Sequence, residues 1–322
     1  MKVLVTGGAG FIGSHVVDRL LEAGDEVWVV DNFNDYYDPA FKRRNIAHHA
    51  GSQKFHLHEL DILDESGMRR VFAEAKPELT IHLAARVGVR PSLDQALLYE
   101  QVNVRGSTIV LELAKQHGCR ELILASSSSV YGRQAKSPFS EDDPVDHPVS
   151  PYAATKRAME LVAYTYHHLW KLDIVCLRFF NVYGERGRPD NIPAMFTKLA
   201  VEGKPIPRFG DGTTKRDYTY INDIVAGVLA CRGKKFGFEI INLGNHTPVS
   251  LNDFMTTIGQ ITGRQLDVQA LPPHPADVPI TFADVSKAKR LLGWEPTTTL
   301  RDGLGLYLEW YQHNQLTKRA IR

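Results

Sequence analysis

The stretch Thr6-Gly7-Gly8-Ala9-Gly10-Phe11-Ile12-Gly13 follows a short apolar run, Val3–Val5, and precedes a helical segment, Ser14–Glu22. It has the spacing G-x-G-x-x-G, in which glycines allow a tight turn and let the backbone approach a pyrophosphate closely. The free N–H groups and the positive dipole end of a helix that begins there favour a bound anion. A strand, a glycine turn and a helix in this order predict a dinucleotide-binding site, although a turn without a ligand has the same local pattern.

Short apolar runs alternate with helical stretches through the first half of the chain. Strands are expected at Val3–Val5, Glu26–Val30, Lys54–Leu60, Thr80–Leu83, Glu121–Ala125 and Ile174–Arg178. Long helices are expected at Asn103–Gln116 and Tyr152–Trp170. This alternation is typical of an α/β fold with a parallel, doubly wound sheet, the Rossmann type, and helices on both faces.

The texture of the sequence changes after about Gly184, where prolines and glycines become frequent. We therefore predict a dinucleotide-binding domain over residues 1–183 and a smaller C-terminal α/β domain, which binds the substrate, over 184–322. Two later segments are again typical of a helix and a strand, Tyr218–Val228 and Phe238–Asn242. Residues 217–245 are for this reason expected to pack back onto the first domain.

The composition is that of an ordinary globular protein. The chain has 322 residues, of which 43% are hydrophobic and 23% charged, so one large domain or two unequal ones are expected. A formal net charge of +1 gives no reason to expect a nucleic acid or a membrane surface as a partner. No segment approaches the roughly 18 uninterrupted apolar residues of a membrane span.

Cysteine and histidine positions argue against a metal site. The three cysteines, Cys119, Cys176 and Cys231, are scattered and form no C-x-x-C pair, which predicts no disulfide framework and suits a reducing cytoplasm. The adjacent pairs His48-His49 and His167-His168 have no acid or cysteine at metal-ligand spacing. We therefore predict no metal and a cytoplasmic location.

Asp31 closes the second predicted strand, 18 residues after Gly13. A carboxylate at this point accepts hydrogen bonds from ribose hydroxyls and repels a 2′-phosphate, which favours NAD over NADP. Two further strand ends, Asp61-Ile62 and Leu83-Ala84-Ala85, are candidates to flank the adenine and to let the cofactor lie against the backbone. Arg43 and Arg44 are also near in sequence, but Asp31 occupies the discriminating position.

A tyrosine and a lysine in Tyr152-Ala153-Ala154-Thr155-Lys156 are four residues apart, which places them on one face of a helix. An ammonium beside a phenol favours the phenolate, so Lys156 is expected to lower the pKa of Tyr152 from about 10. A phenolate near neutral pH is a general base for a hydroxyl proton. Upstream, the serines of Ser126–Ser129 follow an apolar strand and are expected at the same carboxyl edge of the sheet.

Taken together, these motifs resemble the extended short-chain dehydrogenases/reductases, and among them the nucleotide-sugar 4-epimerases. The resemblance covers essentially the whole chain and continues through four later segments, Arg178–Gly184, Gly210–Gly212, Arg216–Tyr218 and 277–284. It implies an NAD-dependent isomerase. It also implies a homodimer formed through the helices at Asn103–Gln116 and Tyr152–Trp170.

The resemblance implies a role for each residue that matches the family's motifs. The catalytic residues would be Ser127, Tyr152 and Lys156. NAD would be bound by Gly7, Gly10, Phe11, Ile12, Gly13, Asp31, Asn32, Asp61, Ile62, Leu83, Ala84, Ala85, Asn103, Tyr152 and Lys156. A UDP-sugar would be bound by Arg90, Ser127, Ser128, Asn181, Arg188, Asn191, Pro207, Phe209, Arg216 and Asp277.

The family mechanism implies a base and a reversible hydride transfer. Tyr152 would take the proton of the sugar O4 while C4 gives a hydride to NAD, and the 4-keto sugar would turn over before the hydride returns. Related dehydratases and decarboxylases typically carry an acid just before V-Y-G, where this chain has Ser129. The serine favours epimerisation alone. The alternative to an enzyme is a non-catalytic regulatory subunit that binds NAD.

The sequence gives conflicting indications about the sugar. Three segments are similar to UDP-glucuronate 4-epimerases, namely Asp31–Asp38, Gly88–Leu93 and Gly187–Asp190. Arg188 and Arg90 would be cations available to a sugar carboxylate, since the arginine fork suits a carboxylate. Asn181 is instead typical of glucose/galactose 4-epimerases and Ala276 departs from the uronate pattern, while His274 lies where glucose epimerases carry an arginine. We therefore expect UDP-glucuronate, converted to UDP-galacturonate, with UDP-glucose/UDP-galactose or their N-acetylated forms as the alternative.

Overall fold

The computed structural model describes residues 1–134, 136–273 and 278–320, with side chains through residue 314. A central sheet of seven strands dominates it, in the spatial order β10-β6-β5-β4-β1-β2-β3, and every pairing is parallel. Its strands are β1 (Lys2–Thr6), β2 (Glu26–Asp31), β3 (Phe55–Glu59), β4 (Leu79–His82), β5 (Glu121–Ser127), β6 (Asp173–Phe179) and β10 (Phe238–Leu243). The predicted α/β class with a doubly wound parallel sheet is confirmed.

The α-helices connect these strands and cover the sheet. In chain order they are α1 (Phe11–Glu22), α2 (Pro39–Ile46), α3 (Glu65–Ala75), α4 (Val89–Asp94), α5 (Ala96–Glu100), α6 (Ser107–Gln116), α7 (Pro151–Trp170), α8 (Ile192–Glu202), α9 (Ile221–Ala230), α10 (Leu251–Thr262), α11 (Ser286–Leu292) and α12 (Leu300–Ala320). Two short 3₁₀ turns occur at Ala47–His49 and Ser128–Tyr131, and Gln101–Gly106 is π-helical. No helix in the described part of the chain has the length and apolar character needed to cross a bilayer.

The alternation of side chains along β1 explains why helices cover both faces of the sheet. Val3 and Val5 belong to one apolar core with residues of α1 and of the C-terminal part of the chain. Leu4 points to the opposite core, where it joins Trp28 and residues of α3, α6 and α7. Both faces are buried, as is usual for a parallel sheet.

The remaining strands form two small sheets beside the carboxyl edge of the central one. They are β7 (Asn181–Tyr183), β8 (Ile206–Phe209), β9 (Lys215–Tyr220), β11 (Pro248–Ser250), β12 (Val268–Leu271) and β13 (Ile280–Thr281). In one of them β9 pairs with β7, β11 and β13, and in the other β8 pairs with β12. The division of the chain at residue 183 stays a prediction. Residues 217–245, which were expected to pack back onto the first domain, contain β10, and β10 lies at the edge of the central sheet.

Two predicted helices differ from the structure in extent. The segment Asn103–Gln116 is one helix by its pattern, but it begins with a π-helical turn and becomes α-helical only at Ser107. The segment Tyr218–Val228 begins as the end of β9, and α9 starts at Ile221. In both places tertiary contacts override the local pattern.

Candidate active site

The glycine turn between β1 and α1 depends on backbone atoms alone. Gly7 has φ +71° and donates its N–H to the carbonyl of Val30 at 2.7 Å, while Gly10 N–H donates to Gly7 O at 3.1 Å. A Cβ on Gly13 would lie only 2.1 Å from Gly7 O, so the turn leaves no room for a side chain there. The first N–H groups of α1 consequently face the same space as the turn, which suits an anion.

Asp31 lies beside this turn at the end of β2 and is almost fully buried. Its two carboxylate oxygens accept hydrogen bonds from Ala9 N–H at 3.2 Å and Phe33 N–H at 2.9 Å. Burial raises the pKa of Asp31, and the charge of Lys42, with Nζ 3.9 Å away, opposes that rise. Sequence proximity drew attention to Arg43 and Arg44, whereas the cation that faces Asp31 is Lys42.

A cavity of about 660 Å³ runs from the glycine turn along the carboxyl edge of the central sheet. Most of the predicted cofactor residues line it: Gly7, Gly10, Phe11, Ile12, Gly13, Asp31, Asn32, Asp61, Ile62, Leu83, Ala84, Ala85, Tyr152 and Lys156. Most predicted substrate residues line its other end: Arg90, Ser127, Ser128, Asn181, Arg188, Asn191 and Phe209. Residues far apart in sequence thus share one continuous space.

Three predicted residues lie outside this lining, and one cannot be placed. Among the described residues, Asn103, Pro207 and Arg216 do not line the cavity. Arg216 donates from Nη1 to the carbonyl of Val278 at 2.6 Å. Asp277 lies outside the described residues, as do His274 and Ala276.

Asn103 supports the cavity wall from behind. Its amide accepts from Arg86 N–H at 2.8 Å and donates to Arg86 O at 2.9 Å and to Thr155 Oγ1 at 3.1 Å. It therefore joins the segment after β4, which does line the cavity, to helix α7.

The catalytic candidates meet where α7 approaches the end of β5. Helix α7 begins at Pro151, and the hydroxyl of Ser150 accepts from Ala153 N–H at 3.2 Å, which fixes its first turn. Tyr152 in that turn shares a hydrogen bond with Ser127. The Ser127 hydroxyl also donates to Ser129 Oγ at 3.1 Å. The hydroxyl pair needed for proton transfer is thus assembled by the fold.

The electrostatics of Tyr152 correct one expectation. Lys156 Nζ donates to the carbonyl of Ala125 at 2.6 Å, and burial lowers the pKa of Lys156 to about 8. Burial raises the pKa of Tyr152, and this rise is opposed by the hydrogen bond between Tyr152 and Ser127 and by the charge of Arg188. The expectation that Lys156 lowers the pKa of Tyr152 is therefore wrong for the protein's own groups, since Arg188 is the cation that acts on the phenol.

A buried ion pair holds the serine strand against α7. Arg178 donates from Nε and Nη2 to the two oxygens of Glu160, both at 2.9 Å, and both side chains are almost fully buried. Ser126 Oγ donates to the same carboxylate at 2.6 Å. Because Glu160 lies one turn after Lys156, this network positions β5 relative to both catalytic candidates on the helix.

Sequence reasoning missed the residues that surround Arg188. Arg188 donates from Nε and Nη2 to Asp190 at 2.9 and 3.1 Å, and the hydroxyl of Tyr36 donates to Asp190 at 3.1 Å. The guanidinium also lies over the Tyr36 ring, 5.5 Å from its centroid. Tyr36 lay within a segment that carried the family resemblance, but nothing local indicated a partner 154 positions later.

A second contact found only in three dimensions joins Asp18 to His48 and His49. Asp18 Oδ1 lies 3.0 Å from His48 Nε2 and 2.6 Å from His49 Nε2, so an acid does lie within ligand distance of this histidine pair. Asp18 Oδ2 pairs with Arg186 at 2.7 Å. Since the arginine already neutralises this carboxylate, we assign the cluster to anchoring the loop that carries Arg186 and Arg188.

Comparison with known proteins places this geometry in a family. A family model described as GDP-mannose 4,6 dehydratase matches residues 4–306. The UDP-glucuronate 4-epimerase of Thermodesulfobacterium geofontis is 45% identical over 320 residues, covering 99% of this chain and 98% of that protein. The chain belongs to this family of nucleotide-sugar epimerases and dehydratases.

Solved structures of family members have the same architecture. A Bacillus cereus UDP-glucuronic acid 4-epimerase, in complex with UDP-glucuronic acid and NAD, matches with a TM-score of 0.92 and 35% identity over 98% of this chain and all of the other. A Thermotoga maritima UDP-glucose 4-epimerase with UDP-glucose matches with a TM-score of 0.91 and 34% identity, with the same coverage. The predictions of an extended short-chain dehydrogenase/reductase, of an NAD-dependent UDP-sugar 4-epimerase and of NAD as cofactor are confirmed.

Proposed function

We propose that this epimerase converts UDP-glucuronate to UDP-galacturonate, and that the predicted site residues that line the cavity have the roles given above. The observation that carries the choice of substrate is Arg188, a cation held at the same end of the cavity as Tyr152 and Ser127. A sugar with a carboxylate at C5 gains a charge-assisted hydrogen bond from a guanidinium in this place, which a neutral hydroxymethyl group does not. The similarity to UDP-glucuronate 4-epimerases supports the same choice.

The residues around the glycine turn fit a dinucleotide. Any Cβ at Gly13 would collide with Gly7 O, and the space kept clear lies beside the N-terminus of α1. Asp31 is oriented by two backbone N–H groups, so it suits the ribose hydroxyls of NAD. NAD, when bound, supplies a hydride acceptor and donor for C4 of the sugar.

The chain's own residues supply the proton transfer and the geometry. Tyr152 takes the proton from the sugar O4, and Ser127, which is hydrogen-bonded to Tyr152, orients the same oxygen. The charge of Arg188 favours the phenolate, and burial opposes it. Lys156, fixed on Ala125 O, lies one helical turn away on the cofactor side and is held for the nicotinamide ribose.

A neutral sugar is the second candidate, and Asn181 is the residue that favours it. Asn181, the first residue of β7, is exposed and lines the cavity, where a side-chain amide suits a sugar hydroxyl better than a carboxylate. The similarity to a UDP-glucose 4-epimerase agrees with this alternative.

The direct test is to supply each sugar nucleotide separately. UDP-glucuronate, UDP-glucose and UDP-N-acetylglucosamine are incubated with the purified protein and NAD, and the configuration at C4 is read by proton NMR. We expect UDP-galacturonate from the first at a rate well above conversion of the others. Conversion of UDP-glucose without conversion of UDP-glucuronate would refute the uronate proposal, and Tyr152→Phe serves as the inactive control.

We also propose a homodimer, formed through α7 and the helices beside it. Apolar side chains on α7 are exposed, namely Leu161, Tyr164, Leu169 and Trp170. Lys115 of α6 lies over the Trp170 ring at 4.4 Å, so the two helices share one surface. Several exposed apolar side chains on one helix favour a second copy as the partner that covers them. Light scattering should give twice the monomer mass, and Leu161→Glu should give the monomer; a monomeric wild type would refute the proposal.

For the compartment we propose the cytoplasm. Cys119, Cys176 and Cys231 are all buried and free. Burial raises the pKa of each thiol, to about 11 for Cys119 and about 12 for Cys231, which keeps them protonated. A chain with three unpaired thiols suits a reducing environment. Fractionation of the native cells tests this, and recovery in a secreted fraction would contradict it.

A further inference from the structure

The loop that carries Arg188 is fixed to both halves of the molecule. In this loop, residues 184–191, Gly184 and Arg186 have positive φ angles of 140° and 59°, so its path is unusual and needs support. His15 Nε2 forms a hydrogen bond with the carbonyl of Glu185 at 2.9 Å, and Arg186 forms an ion pair with Asp18. His15 and Asp18 both lie on α1. From the C-terminal half, Tyr220 donates to the Glu185 carboxylate at 2.7 Å.

At the cavity end of the loop, Asp190 takes one particular edge of the Arg188 guanidinium. The two bonds engage Nε and Nη2, which form one fork of the planar group. Any second carboxylate therefore has to be bound by the Nη1–Nη2 edge. Tyr36 fixes the arrangement further, because its hydroxyl holds Asp190 and its ring lies against the guanidinium.

We propose that Asp190 and Tyr36 are positioning residues of the sugar site. They hold Arg188 so that one edge of its guanidinium faces the C5 substituent. The charge of Arg188, partly compensated by Asp190, then acts on Tyr152. This proposal rests on the proposed function for the identity of the C5 substituent. Its electrostatic part concerns only Arg188, Asp190 and Tyr152, and holds for any UDP-sugar that the protein converts.

Asp190 acts on the pKa of Tyr152 through Arg188, as the groups around Tyr152 indicate. Tyr152 faces Ser127 from β5, the Tyr99 ring of α5 at 6.2 Å edge to face, and Arg188 from the loop. The charge of Arg188 lowers the pKa of Tyr152, whereas no direct effect of Asp190 on that pKa is resolved among the described residues. The titratable groups around Arg188 itself are Asp190, Tyr36, Tyr37, Tyr99 and Tyr152.

Asp190→Asn tests the proposal because it keeps the shape of the side chain and removes its charge. With Arg188 no longer compensated, Tyr152 should ionise more easily, so the acid limb of the kcat–pH profile should shift downward, by on the order of one pH unit. In the Arg188→Met background the same substitution should shift nothing. Tyr36→Phe, which removes only the hydroxyl that binds Asp190 and leaves the charge of Asp190 in place, should shift the limb by less than Asp190→Asn does.

Asp142→Asn, a neutralised carboxylate on an exposed turn outside the cavity, is the matched control and should leave the profile unchanged. Lost activity with an unmoved pH limb would mean that Asp190 serves folding only and would overturn the proposal. So would an equal shift in the Arg188→Met background.

The measurement also separates this proposal from the proposed function. If the protein converts only UDP-glucose, the uronate substrate is refuted, and the pH shift with UDP-glucose still tests Asp190. If it converts UDP-glucuronate, the KM for that substrate should rise about tenfold more in Tyr36→Phe than the KM for UDP-glucose, since only the carboxylate depends on the orientation of Arg188. Equal changes in the two KM values would contradict the positioning role.

Discussion

The two ends of the cavity are built from different materials. The cofactor end is shaped by backbone atoms, namely a glycine turn, a helix N-terminus and the two N–H groups that orient the Asp31 carboxylate. The sugar end consists of side chains brought from separate loops, with Arg188 held by Asp190 and Tyr36. The first end tolerates almost no change in shape, while the second is set by the balance of charges. Substitutions at the two ends should accordingly fail in different ways.

Tyr152→Phe should have the largest effect and should separate the ends completely. Removing the phenolic oxygen deletes the base, so kcat should fall by about 10²–10⁴-fold. NAD should remain bound, because the ring and Lys156 stay in place. Single-turnover kinetics and a cofactor absorbance assay measure the two quantities. Loss of NAD together with activity would mean that Tyr152 has a structural role.

Gly13→Ala should have the next largest effect and should show that NAD binding at the cofactor end depends on the shape of the glycine turn. The new methyl group would lie 2.1 Å from Gly7 O, so the turn has to open. Displacement of the turn should weaken NAD binding by roughly a hundredfold, in line with the 1–3 kcal/mol of overpacking. Isothermal titration with NAD measures this. Gly51→Ala, with nothing within 4 Å of its Cβ, is the control, and equal affinities in both variants would contradict the expectation.

Arg188→Met should act on the sugar end alone and through charge. The lost ion pair should raise the KM for UDP-glucuronate by about 10–100-fold, with little change for UDP-glucose and none for NAD. Steady-state kinetics on both sugars is the measurement. Equal rises in the two KM values would assign Arg188 to the diphosphate or to folding.

Lys156 lies between the ends, and its effect on stability should be the smallest. Burial lowers its pKa from 10.5 to about 8, so the unfolded chain holds the proton more tightly than the folded protein does. Lys156→Met should therefore raise the free energy of unfolding by about 2 kcal/mol at pH 7, allowing for the lost bond to Ala125. The gain should shrink between about pH 8 and 10.5, and urea denaturation at pH 7 and pH 10 tests this. A gain that is constant with pH would exclude the electrostatic cause.

The same contrast explains what could be predicted from sequence. The succession of strands and helices, the glycine turn and the placement of Tyr152 and Lys156 on one helix follow from local spacing, so they could be predicted. The contact of Tyr36 with Asp190 and the support of Arg86 by Asn103 join residues far apart, for which one sequence has no signal. The role assigned to Lys156 in lowering the pKa of Tyr152 was wrong because spacing shows proximity on a helix, whereas the hydrogen bond to Ala125 O depends on a neighbouring strand.

The position of β10 has a consequence for biosynthesis. The strand β6 pairs with β5 on one side and with β10 on the other, and β10 comes about sixty residues later in the chain. As the polypeptide leaves the ribosome, the apolar edge of β6 therefore stays open until residue 243 has emerged, which takes several seconds at the usual rate of translation. An open strand edge of this kind can pair with another chain and aggregate, so nascent chains stalled before that point should need chaperone protection.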